Sequence, residues 1–274
     1  IGPDAATFLQ GQFTNDLSNM AVGQSVYGLW LDRRGKVIGD SHVILASATV
    51  EYRIVSLGSA GSVIATHLND HIIADEVEVF DETAEWAGIS VLGEGTGPWL
   101  SSMSRPGYVF PGRRGLAENW EWVHPLGHSE SAKAAVDGAR VATAEDMERS
   151  RILAAIPAVP ADIGPSDLPN EGGLDSCAIS YSKGCYIGQE VMARIKALGR
   201  VRRKLVLVSG TGEPPAPLSG LWQSERREGE LRSVAKSRGG FVGLALVSIA
   251  SASAGGPFSL APDGSPSVQI AIQP

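Results

Sequence analysis

The chain has 274 residues, of which 43% are hydrophobic and 19% charged, with a formal net charge of −7. That length predicts two or three lobes rather than one core, and the acidic balance excludes a protein that coats nucleic acid or anionic membrane with its whole surface. Its two cysteines, Cys177 and Cys185, and five histidines exclude a disulfide framework and a four-ligand zinc pattern, and predict reduced thiols in a cytoplasmic protein.

In chain order, PDAATFLQGQFTNDL carries Ala6, Leu9, Phe13 and Leu17 at helical spacing, with Asp4 as its cap. The chain opens inside an element and without methionine, so a preceding segment is expected. Residues 25–47 read as a hairpin turning at Asp32–Gly35, and EYRIVSLG as a further strand. SAGSVIATHLNDHII is an amphipathic helix capped by Ser59 or Ser62. DEVEVFDET and WAGISVLGE alternate as strands. TAEDMERSRILAAI is a helix with an acidic start and a Met147, Ile152, Ile156 stripe. PAVPADIGPSDLPNEGG is a proline-broken loop of the kind that carries function. A helix then runs from about Gly188 to Leu198 and stops at Gly199. Beyond Val201 strands dominate (KLVLVS, ELRSVAKS, FVGLALVSIA, SVQIAIQ), predicting a small β-barrel or sandwich. The uncharged stretch 239–262 reads as strand–turn–strand, not as a membrane span.

Three constellations invite a functional reading. SYSKGCYIGQEVMAR sets Cys185 two residues after Lys183 and just ahead of a helix start, where free amides and a positive charge favour a thiolate. The alternative is a small, inert, buried hydrophobe. Arg194, Lys196, Arg200, Arg202, Arg203 and Lys204 form a basic run with no acid between Glu190 and Glu213, suited to carboxylates, phosphates or an RNA backbone, or else to a solvated edge. His67 and His71 stand at i, i+4 without the metalloprotease glutamate, and read as a partly exposed helix face. GEGTG at 93–97 has proline where a dinucleotide fingerprint needs its third glycine, and is discounted.

KGCYIGQE at 183–190 resembles the hallmark of the YgfZ family of folate-binding proteins, which are similar to the aminomethyltransferase (T-protein) of glycine cleavage. GPDAATFLQGQFTNDL, SRILAAIP, LPNEGGLD and ARIKALGRVRRKL extend the likeness from Gly2 to about Leu205. The resemblance implies an α+β, three-lobed T-protein-like ring. Residues 1–198 would form two interleaved α/β subdomains that bind folate, and residues 199–274 a C-terminal β-barrel. It implies a channel for tetrahydrofolate or a one-carbon derivative, and support of iron–sulfur client or assembly proteins, including enzymes that modify tRNA. Cys185 would be the reactive thiol at the mouth of that channel, activated by Lys183 and the helix start.

On chemistry plus that pattern, Glu171 or Asp175 would hold the pterin's N–H donors, and Arg151 or the 194–204 cluster the glutamate tail. An Arg151–Asp175 ion pair is the structural alternative. Tyr186 would pack on the ligand or the core; Gly184 and Gly188 would permit close backbone approach; Gln189, Glu190 and Arg194 complete the expected binding set. The transferase's paired aspartates are reduced to Gly39 and Asp40 in GKVIGD, and its second acidic element to Glu118 and Glu121 in LAENWEWV. Aminomethyl transfer through Asp40 is therefore the runner-up, and an RNA- or partner-binding module on the basic run the third reading.

Overall fold

A computed structural model describes residues 1–47, 50–199 and 201–271; Arg200 of the basic run, and Ile272 and Gln273 of the last predicted strand, lie outside the described residues. The first lobe comprises α1 (Ala5–Gln12), the antiparallel strands β1 (Ser25–Leu31), β2 (Val37–Ser47) and β3 (Glu51–Val55) with β2 central, and α2 (Gly61–Asn69). Alternation along β1 and β2 splits the apolar side chains between two faces. Trp30 and Val43 bury with Phe8, Leu9, Phe13, Ile64 and Leu68 under the helices. Leu29, Leu31 and Val37 bury against Val159, Ile163, Leu174, Tyr186 and Met192, a stretch that returns from far along the chain. Gly28 makes the first packing possible, because a Cβ there would stand 2.6 Å from the Phe13 ring.

Two expected caps are absent here. Asp4 precedes α1 but makes no side-chain cap; its Oδ2 accepts from the Glu76 amide at 2.9 Å. Neither Ser59 nor Ser62 caps α2, and Ser59 Oγ instead donates to Asp40 Oδ1 at 3.0 Å. The predicted strand DEVEVFDET is not a strand. Val77 and Val79 do pack on the first core, which explains the alternation, but the segment's backbone makes only isolated bonds to the start of the chain: Glu78 N–H to Ile1 O at 2.8 Å, the return bond at the terminus, and Glu76 N–H to the Asp4 side chain. Period-two burial without a neighbouring ladder leaves extended coil.

The second lobe holds β4 (Trp86–Leu92), α3 (Thr96–Ser102), β5 (Tyr108–Pro111), β6 (Asn119–Pro125) and α4 (Ser129–Ala135), with the strands antiparallel in the order β4-β6-β5. Ile44, Phe110 and Val123 weld it to the first sheet. Next comes α5 (Ala144–Leu153), opened by a capping box between Thr143 and Asp146. Its Ile152 buries against Leu207, Ala235, Val242 and Leu244 of the third sheet.

The chain then passes through a proline-rich loop, α6 (Asp175–Ala178) and α7 (Gln189–Leu198) to the third lobe. Gly188 and Gly199 sit at the two ends of α7 with φ of 82° and 63°, the limits expected from the sequence. The strands are β7 (Arg203–Thr211), β8 (Gly220–Gln223), β9 (Arg226–Ser237), β10 (Gly240–Ser248) and β11 (Val268–Ile270), with α8 (Ile249–Ala254) between the last two. They form one antiparallel sheet in the order β11-β7-β10-β9-β8. It curls into a half-barrel whose edges are linked through residues 258 and 259, by the bridges Trp222–Ser259 and Phe258–Val268. Stretch 239–262 is thus strand–helix, not strand–turn–strand: Ser248 Oγ accepts from the Ser251 amide at 3.1 Å and starts α8. Among the described residues no helix is long and apolar enough to cross a membrane.

Candidate functional site

Where the first two sheets and α5 meet, the chain forms an open-mouthed cavity of about 340 Å³, within the range of small-molecule sites. Asp40 and His42 reach it from one face of β2, Tyr27 from β1, Arg113 and Arg114 from the turn after β5, and Glu148, Arg151 and residues 156–159 from α5 and the loop beyond it. Asp40 is held from two sides: Tyr27 Oη donates to Oδ2 at 3.0 Å and Ser59 Oγ to Oδ1. The Arg113 guanidinium lies 4.3 Å from the Tyr27 ring centroid, and its Nη1 donates to Cys177 Sγ at 3.1 Å. Among the described residues it is paired with no carboxylate, whereas Arg114 is bound to Glu121 and Arg151 to Glu148 and Asp162.

Burial raises the Asp40 pKa, against the hydrogen bonds from Ser59 and Tyr27 that favour the anion. Burial, and next the Asp40 charge, raise that of Tyr27. Burial, with Arg113 and Arg114 adding to it, lowers His42 to about 4, so its imidazole is neutral at pH 7. His42 is 5% exposed, and among the described residues no atom hydrogen-bonds either ring nitrogen. A buried donor or acceptor left in that state costs about 1–3 kcal/mol.

The raised Asp40 value has a stability consequence with a definite sign. A carboxyl whose folded pKa exceeds its unfolded one contributes fully below the unfolded value, and that contribution is lost as pH rises through the folded value. Asp40→Asn does not titrate and escapes the loss. It is expected to be more stable than the native chain at pH 7.5 by about 1 kcal/mol, with the gain shrinking toward pH 4. Thermal melts at the two pH values check this, and an equal effect at both would contradict it.

The segment carrying Cys185 is built differently from the expectation. Lys183 is buried, and its ammonium spends its three donors on Gln10 O, Phe13 O and Asn15 O at 2.8, 2.7 and 2.8 Å. Those carbonyls cluster at the open C-terminal end of α1, where a cation is favoured. Ile187 N–H to Gly11 O at 3.2 Å, Ser180 N–H to Thr14 O at 3.0 Å and Thr14 Oγ1 to Ala178 O at 2.6 Å staple the flanks to the same stretch. Burial lowers Lys183 to about 8, which leaves it mostly protonated at neutral pH. Lys183 is therefore a clamp and not a hydrogen-bonding partner of the thiol. Cys185, held between Lys183 and Ile187, is an exposed free cysteine three residues before Gly188.

The remaining expected residues divide by position. Asp40 and Arg151 line the cavity; no residue of 183–194 does. Arg151 is an ion-paired residue, as the structural alternative held, but its buried partner is Asp162 and not Asp175. Glu171 receives both arms of Arg203 at 2.9 Å and the Leu168 amide at 2.9 Å, which turns one cation of the basic run inward. Asp175 is the first residue of the short α6. Tyr186 packs in the core beside Leu29 and Leu31, the core alternative for that ring. Gly184 is exposed with open space where a Cβ would be, so it answers no close approach. At Gly188 a Cβ would meet Asp32 O at 2.9 Å; its close approach is to the β1–β2 turn.

On α7, Gln189 donates its amide to Tyr186 O, and Glu190 and Arg194 form an exposed pair at 3.5 Å. Glu118 and Glu121 are also committed: Glu118 accepts from the amides of Gly95 and Gly97, and Glu121 binds Arg114 and Ser90. The GEGTG loop thus cradles an anion, but the chain's own. His67 is buried rather than partly exposed, with His71 Nδ1 2.7 Å from His67 O. Among the described residues no His, Cys, Asp or Glu cluster is able to hold a metal.

The sequence reading missed His42, Tyr27, Arg113 and Cys177 as site neighbours. His42 was findable as the residue two beyond Asp40 in a strand, hence on its face. Arg113 needed the contact between the two lobes.

A split ring of three sheets with its cavity between the first two lobes and α5 is a T-protein-like fold. The solved aminomethyltransferase T of Bartonella henselae matches all of this chain and 81% of its own, with a TM-score of 0.82 at 18% identity. Residues 1–105 match the family model described as the GCVT N-terminal domain. Within that class the sequence is similar to YgfZ and IBA57 proteins. The tRNA-modifying protein YgfZ of Vibrio atlanticus is 28% identical over 240 residues, covering 84% of this chain and 72% of that one. The mitochondrial iron-sulfur cluster assembly factor IBA57 of Homo sapiens is 28% identical over 270 residues, covering 90% and 73%.

Proposed function

We propose that this protein binds tetrahydrofolate in the Asp40 cavity and supports iron–sulfur cluster assembly or repair, including for iron–sulfur enzymes that modify tRNA, with Cys185 as its working thiol. The observation that carries the reading is a half-buried carboxyl, fixed by Tyr27 and Ser59, lining one open-mouthed cavity with a guanidinium that among the described residues has no carboxylate partner. A reduced pteridine offers amino and ring N–H donors to such a carboxyl. The anionic glutamate tail suits Arg113, a fork donor that no carboxylate holds among the described residues. Tyr27 and the Arg113 plane supply a flat wall. The cavity's volume takes the bicyclic head, and the tail leaves through the mouth. The likeness to IBA57, an iron-sulfur cluster assembly factor, supports the iron–sulfur part of the reading, and the likeness to YgfZ, a tRNA-modifying protein, the tRNA part.

On this reading the two roles lie apart. The ligand space belongs to β2 and α5, and the thiol belongs to a loop clamped on α1. A titration with tetrahydrofolate, repeated on Cys185→Ser, tests this. Unchanged affinity together with lost support of iron–sulfur enzyme activity in cells is expected. Weakened affinity would place the thiol at the ligand.

Aminomethyl transfer remains the second reading because Asp40, which stands where the resemblance puts one acid of the transferase pair, is half-buried with a raised pKa, as an acid–base group requires. Transfer of a formaldehyde equivalent from an amine to tetrahydrofolate, lost in Asp40→Ala, would replace the first reading.

A further inference from the structure

His42 and Asp40 stand two apart on β2 and present to the same space. The imidazole is wedged between the Phe110 ring, with centroids 4.5 Å apart, and the Tyr27 ring, its cross-strand partner, at 5.1 Å. Those contacts fix the ring plane and satisfy neither nitrogen, and no other described residue does. Val43, Ile44 and Leu45 follow on the same strand, all buried, so the strand has no general need for a polar side chain at this depth. A neutral imidazole has one N–H donor and one acceptor, and reads a complementary edge of a ligand without demanding charge. Sites built around such a buried polar pair reject analogues that lack the matching atoms.

We propose that His42 is a specificity-determining ligand contact, hydrogen-bonding the heteroatom edge of a planar, uncharged heterocycle that enters beside Asp40. This rests on the folate reading insofar as that heterocycle is taken to be a reduced pteridine.

The test is calorimetric titration of the native chain, His42→Leu and His42→Asn with tetrahydrofolate, each checked by thermal melting. The leucine variant is expected to bind at least about tenfold more weakly, the loss of one well-made buried hydrogen bond. The asparagine variant, which keeps a donor and an acceptor, is expected to recover most of that loss. Equal binding by native and leucine variants overturns the assignment of His42 and leaves the folate reading intact. Failure of the native chain to bind overturns both. Should His42→Leu not fold, the native protein decides through the ¹⁵N shifts of the His42 ring: a change on adding tetrahydrofolate is expected, and unmoved shifts overturn the proposal.

Discussion

Arg151→Ala is expected to lower the unfolding free energy by about 3–5 kcal/mol, the usual cost of leaving a buried ion without its partner. Arg151 Nη1 donates to Asp162 Oδ2 and to Ile156 O, both at 2.6 Å, and Nη2 to Ser233 Oγ at 2.7 Å. Ser233 returns a hydrogen bond to Asp162 Oδ1 at 2.6 Å, and the Ala158 amide adds one to Oδ2 at 2.7 Å. Asp162 is wholly buried. The node therefore ties α5, the proline-rich loop and β9 of the third sheet through one carboxylate, and the alanine variant strands that carboxylate. Urea denaturation reads the loss. Replacing Arg151 by Met and Asp162 by Leu together should recover part of it, because no charge is then left buried. A loss below about 1 kcal/mol accompanied by weakened folate binding would instead make Arg151 a ligand for the tail.

Lys183→Met carries the second large effect. Methionine keeps much of the stem's apolar packing but removes three charge-assisted hydrogen bonds to the end of α1. A cost of about 2–3 kcal/mol is expected, because the fully buried Phe13 is left with a carbonyl that has lost its donor. The more specific consequence is local. Residues 180–187 lose their anchor, so amide exchange in that segment should quicken while α2 and the third sheet stay as protected as before. Cys185 should then alkylate with altered kinetics. Uniform loss of protection would mean a merely destabilised chain, and unchanged exchange would mean that the clamp is not what positions the loop.

Most of the architecture was legible because local signals and tertiary demands agreed. The glycines bracketing α7, the Asp32–Gly35 turn, the continuous apolar runs of β7 and β10 and the alternation of β9 each say locally what the fold requires. The failures share one cause. Asp4, Ser59 and the 75–83 stretch carry the right local chemistry, but distant partners claim it: the Glu76 amide, the Asp40 carboxyl and residue 1.

The site behaved similarly. Lys183 and Cys185 are neighbours in sequence, and spacing suggested an activated thiol. The lysine points to carbonyls some 170 positions away along the chain, which no window of sequence displays. Glu171 looked free to bind a pterin until Arg203 closed on it. Asp40 was found through a resemblance, while its companions Tyr27, His42 and Arg113 became visible only once β1, β2 and the turn after β5 met around one space.

The central claim is that a pteridine-binding cavity and an exposed thiol loop occupy separate parts of this fold. Hydrogen–deuterium exchange with and without tetrahydrofolate tests it most directly. Protection is predicted at residues 40–42, 55–58, 113–114 and 156–159, with residues 183–188 unaffected. Protection centred on 183–188, with the β2 segment unchanged, would contradict it.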